Sequence, residues 1–172
     1  MAGTSYLNRM PLGIAGSITR LRDLTTEPVM LDTTQKFDKY GYAGKYDGDK
    51  FVPLEDGDSV DKVAGILVRP YPTQSPSDVA YIGVESGFTG DALKRGYICV
   101  TVTAGDATSA KKGDPVYVRV AGATDASPLG SFLLVPDSTA ENTPQLTIAQ
   151  VMGPGDAAAG TGKGHVEIAY NI

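Results

Sequence analysis

The residues of this chain best suited to chemistry sit near its C-terminal end. Gly153-Pro154-Gly155-Asp156 leads through Gly160-Thr161-Gly162-Lys163-Gly164 to His165. A phosphate-cradling loop needs a glycine five places before the Gly-Lys pair and Ser or Thr after the lysine. Those places hold Ala157 and Gly164, and too few residues follow to supply the helix N-terminus that is half of the anion-binding physics. The stretch therefore predicts a flexible hairpin loop of glycine and alanine. His165 is the only histidine and Cys99 the only cysteine. A histidine-activated nucleophile would have to use His165. Cys99, in the middle of an apolar strand, has the setting of an inert core thiol. One Cys and one His cannot build a zinc site from the usual ligands. Asp47-Gly48-Asp49 and Asp56-Gly57-Asp58 lack the spaced oxygens and closing glutamate of a calcium loop, and read as turns. No catalytic, cofactor or metal residue is assigned, and the chain is expected not to be an enzyme.

The elements that would position such residues are strands. Leu93-Lys94-Arg95-Gly96-Tyr97-Ile98-Cys99-Val100-Thr101-Val102 and Lys111-Lys112-Gly113-Asp114-Pro115-Val116-Tyr117-Val118-Arg119-Val120 each follow a basic glycine turn and alternate apolar with polar residues. With 21 glycines and 11 prolines in 172 residues, this predicts an all-β fold, a small barrel or sandwich with long loops. Further strands are expected at 27–32, 40–46, 50–54, 63–70, 79–84 and 131–135. Residues 145–152 and 164–170 should pair as a terminal hairpin around the 153–164 loop. Tyr40, Tyr42 and Tyr46 share a parity and would share a face of an unbroken strand. The run 63–70 is apolar on both parities and reads as a buried strand. No helix longer than about three turns is expected.

The expected organisation is an extended N-terminal arm at 1–22 and one β domain at 23–172. Within that domain, 23–92 forms a first β region with a proline-rich loop at 70–77, and 93–172 forms the barrel or sandwich region. The arm holds Arg9, Arg20 and Arg22 and no acid, leaving 12 basic residues against 20 acidic ones in the rest. The net charge of −5 argues against general nucleic-acid binding. No apolar run is long enough for a membrane span, and the first residues lack the form of a signal peptide, so a cytoplasmic origin is expected. Pro11, Gly13 and Gly16 oppose a helix in the arm, whose apolar residues then need a surface to lie on. The residues expected to contact a partner are Tyr6, Leu7, Arg9, Met10, Leu12, Ile14, Arg20 and Arg22 in the arm. Arg69, Tyr71 and Pro72 join them at the proline-stiffened loop. Deleting residues 2–16 is expected to remove partner binding and leave the body folded.

The chain resembles the structural cement, or head decoration, proteins of tailed bacteriophages. The resemblance rests on Gly13-Ile14-Ala15-Gly16-Ser17-Ile18-Thr19-Arg20, on Val63-Ala64-Gly65-Ile66-Leu67-Val68-Arg69-Pro70-Tyr71-Pro72, on Arg95-Gly96-Tyr97-Ile98 and on Lys112-Gly113-Asp114-Pro115-Val116-Tyr117-Val118. It implies a non-enzymatic virion protein without cofactors, made in the host cytoplasm. Such a protein binds the outside of a shell of major capsid protein, between capsomers, and holds the head against internal DNA pressure. It also implies a homo-oligomer, a trimer before a dimer. Other readings are a virion-displayed glycan or cell-surface module using Tyr40 or Tyr42, a tail or adaptor protein, and a hydrolase built on convergent carboxylates.

Overall fold

The computed structural model describes residues 12–70, 89–157 and 164–172. The strand expected at 79–84, loop residues 71–77 and the tip of the 153–164 loop lie outside the described residues. The rest is all-β. Strands run β1 (Ile18–Leu31), β2 (Ala43–Asp47), β3 (Lys50–Pro53), β4 (Gly65–Val68), β5 (Thr89–Thr101), β6 (Pro115–Val118), β7 (Phe132–Leu133), β8 (Gln145–Val151) and β9 (His165–Tyr170), with three single-turn 3-10 segments between them. The boundary expected after residue 22 falls inside β1.

The strand order is β1-β3-β2-β4-β5-β9-β8-β6-β7, with a further pairing of β1 to β5. That extra pairing closes a ring of five strands: β1, β3, β2, β4 and β5. A second set, β5-β9-β8-β6-β7, turns back on the end of β5 through a parallel bridge between Val102 and Phe132. β5 belongs to both. Its first half pairs with β4 on one edge and its second half with β9, while β1 runs along the other edge. Closure of this kind removes most free sheet edges.

Two apolar cores follow from the alternation. The smaller gathers Val29, Leu31, Phe37, Tyr40, Tyr42, Phe51, Leu67 and Ala92. The larger runs through Ile66, Val68, Leu93, Ile98, Val100, Val118, Phe132, Val166 and Ile168. β4 and β5 lie between them: Leu67 and Ala92 face one core, Ile66, Val68 and Leu93 the other. This is why 63–70 is apolar on both parities. Gly44 is glycine because a Cβ there would lie 2.6 Å from both the Phe37 and Phe51 rings, which stack with centroids 5.3 Å apart.

The three tyrosines do not lie on one continuous strand. Gly41, at φ +80°, interrupts the run and β2 starts only at Ala43. Tyr40 and Tyr42 are nevertheless buried, and Tyr46 packs edge-on against Phe51. Gly48, at φ +58°, turns the β2–β3 hairpin as its residue types require.

One buried ion network braces the β2 side. Lys45 is paired to Asp58 at 2.7 Å and Glu55 at 2.8 Å, and Lys62 reaches the other Asp58 oxygen at 2.7 Å. Lys45 and Asp58 are both buried. Burial opposes ionisation of Asp58, but the hydrogen bonds from Lys45, Lys62 and the Glu55 amide outweigh it and bring its pKa from 3.8 down to about 2. A depressed carboxylate stabilises the fold fully above its unfolded pKa and ceases to as pH falls through its folded one. Stability should therefore drop by about 2 kcal/mol from this group between pH 4 and pH 2. Asp58→Asn should cost about 2–3 kcal/mol at pH 7, by leaving Lys45 short of its buried counter-ion, and should flatten that acid limb. Urea unfolding at pH 7 and pH 2 checks both; an unaltered acid limb in the variant would contradict the assignment.

Candidate functional site

The described part of the N-terminal segment is fastened to the body. Gly16 donates its amide to the Cys99 carbonyl at 2.8 Å, the Cys99 amide donates to Ser17 at 2.9 Å, and the Arg69 amide donates to Gly16 at 2.8 Å. Gly16 is thus wedged between the end of β4 and the middle of β5. It sits at φ +85°, and a Cβ there would lie 2.7 Å from the Tyr40 Cβ and 3.1 Å from the Arg69 backbone nitrogen. The Arg69 Nε donates to the Ala15 carbonyl at 3.0 Å, and its guanidinium lies 4.7 Å from the centre of the Tyr40 ring. Further out, the Leu12 amide donates to Asp156 Oδ2 at 2.6 Å. Removing residues 2–16 would take these bonds away with the arm, so a cut placed before Leu12 separates partner binding from the fastening.

A second fastening follows along β1. Arg20 grips Glu167 with both arms of its guanidinium, Nε to Oε1 at 2.9 Å and Nη2 to Oε2 at 2.6 Å. The Thr19 hydroxyl donates to the same Oε1, and Arg20 lies over the Tyr97 ring. Hydrogen bonding to Glu167 raises the Arg20 pKa, although burial works the other way. Glu167 is itself buried on β9, opposite Cys99 of β5.

Between these anchors and the rest of β1 the chain bulges. Arg20 pairs with Tyr97 and Thr25 with Arg95, so residues 21–24 stand opposite Gly96 alone. Gly96, at φ +140°, admits Leu24, whose Cδ1 lies 3.2 Å from where a Cβ would be. Asp23 takes φ +58°, an uncommon angle for a residue with a side chain. The bulge holds Leu21 outward, 84% exposed, next to Arg22, whose side chain is 89% exposed and has Asp23 at 3.3 Å. Arg95 is half exposed beside the same Asp23.

The expected contact residues therefore divide. Arg20 and Arg69 are engaged within the chain and hold the segment in place. Arg22 and Ile14 face solvent, and Leu12 is partly buried. Tyr6, Leu7, Arg9, Met10, Tyr71 and Pro72 lie outside the described residues. Leu21 and Glu167 had no place in the sequence reading. A break in alternation at 21–24 is the only trace Leu21 leaves.

The residues weighed for chemistry have structural surroundings. Register places His165 opposite Thr101 and Cys99 opposite Glu167, so Cys99 and His165 are not cross-strand partners. His165 is half-buried; burial lowers its pKa, partly offset by Asp156, with which it forms a two-way backbone bridge. Gly155 is so close to this bridge that a Cβ would lie 2.1 Å from the His165 carbonyl. The described flank of the 153–164 loop is therefore fastened, and the part expected to be flexible lies outside the described residues. Tyr40 and Tyr42, the residues a glycan reading would use, are core residues. Asp32, Asp58, Asp106 and Asp137 all have lowered pKa values, each from a lysine, an arginine or turn hydrogen bonds.

The family model described as XM1 gp53 minor capsid protein matches residues 3–170. The chain belongs to that family. It is a structural protein of a phage virion, associated with capsid components. Among solved structures, a chain of "The capsid of Myoviridae Phage XM1" matches with a TM-score of 0.64 and 19% identity, over 99% of this chain and 98% of that one. At that identity the likeness speaks for a shared fold. No curated protein matches.

Proposed function

We propose that this minor capsid protein decorates the outside of the phage head, seats between capsomers as a homo-oligomer, and stabilises the shell against internal pressure. Its role is mechanical rather than catalytic. The observation that carries the reading is the root of the N-terminal segment: Gly16 bonds in register to Cys99 and Arg69. A load on the residues before it would pass directly into β5, the strand common to both halves of the fold. A segment ordered on a neighbour can add main-chain hydrogen bonds and side-chain pockets together. Arg9 would give it charge complementarity to an acidic shell surface, and several copies in one oligomer would multiply weak contacts through effective concentration.

The test is to strip heads of this protein, add it back, and heat them. Added protein should raise the temperature at which DNA is released and saturate at a fixed number of copies per head. Unchanged release temperature at full occupancy would remove the stabilising role, and absence of binding would remove the decoration role.

A further inference from the structure

We infer that the Leu21–Arg22 bulge is a contact made between copies of this chain, docking on the notch lined by Asp38, Ala123, Asp125 and Pro128. The inference rests on the oligomer in the proposed function and gives it a specific surface. The bulge is costly for the free chain. It exposes a leucine almost completely, and it holds Asp23 at a positive φ that costs of order 1–3 kcal/mol. Its base, in contrast, is rigid, with the Arg20–Glu167 fork on one side and Leu24 packed against the larger core on the other. A strained, rigidly based apolar tip gives the free chain nothing, whereas for a partner it offers a preformed knob that loses little entropy on docking.

The chain also carries a notch with an apolar floor and an excess of acidic residues. An open notch of about 470 Å³ has Ala123 and Pro128 as its apolar lining, with Asp38, Asp125 and one cation, Lys39. A third acid, Asp56, accepts a hydrogen bond from the Gly122 amide at its border. Leu21 and Arg22, with Arg95 on the other side of Asp23, would meet in another copy a small apolar floor whose three carboxylates outnumber its one lysine. The two surfaces are on different parts of the chain, so copies either exchange two such contacts about a two-fold axis or join head-to-tail and close into a ring when the rotation permits.

Sedimentation equilibrium of the full chain, without heads, tests this directly. The wild type should self-associate. Leu21→Asp and Arg22→Glu should each weaken association by at least about tenfold, and Asp125→Arg should do the same from the other side. Arg22→Glu combined with Asp125→Arg should recover most of the loss, while thermal melts of all variants stay at the wild-type midpoint. A wild type that is monomeric at about 100 μM, single variants that associate normally, or a double variant without recovery would each overturn the contact. Head binding by the weakened variants is read separately, so failure of this contact and failure of the decoration role remain distinguishable.

Discussion

Gly16→Val will destabilise the protein by about 3–5 kcal/mol, the sum of a left-handed backbone angle imposed on a β-branched residue and overlap with close-packed neighbours. The neighbours cannot give way cheaply. The Tyr40 Cβ and the Arg69 backbone nitrogen are not the far ends of flexible side chains, and they stand 2.7 and 3.1 Å from the added Cβ. Relief would require Gly16 to leave its bonds to Cys99 and Arg69, which unpicks the root of the N-terminal segment. For a domain of this size the loss corresponds to a fall in Tm of about 10–15 °C. Gly48→Ala is the control: φ is +58° with nothing within 4 Å, so only the conformational cost of about 1 kcal/mol applies. Urea unfolding of the two variants separates packing from backbone strain. A Gly16→Val protein as stable as Gly48→Ala would show that Gly16 is not clamped.

Deleting residues 2–11 should have the largest effect on function. That stretch carries Tyr6, Leu7, Arg9 and Met10 and no acid. The ladder that holds the segment begins at Gly16, beyond the cut, so the stability of the body should change by less than about 1 kcal/mol. Binding to stripped heads should fall by about 100-fold or more, because every copy in an oligomer loses its grip at once. Heads that bind the truncated protein normally would show that the grip lies elsewhere on the molecule.

The fold class was legible because its determinants are local. Alternation marks β5, β6, β8 and β9, and Asp47-Gly48-Asp49 marks the β2–β3 turn. The double apolar parity of 63–70 marks a buried strand, and the core on each face of it explains why. The pairing that closes the five-stranded ring was not legible, since joining β1 to β5 depends on contacts about 70 residues apart and on which edge of β5 is free. The arm was read from its charge and its glycines. Sequence could not show that Gly16 is buried, because glycine looks the same in a loose segment and in a tight wedge. Charge marks Arg20, and the proline-stiffened loop marks Arg69, as outward contacts; their partners, Glu167, Tyr97, Tyr40 and Ala15, are distant in sequence. Leu21 was missed for the converse reason, since nothing in an Arg-Leu-Arg triplet announces a four-residue bulge against a single glycine.

A reconstruction of the native head, at a resolution that traces individual chains, bears most directly on how this protein works. It should place the molecule on the outer surface between capsomers, with residues before Gly16 lying against the major capsid protein. A map with the protein on the inner surface, or with those residues surrounded by solvent, would contradict the account.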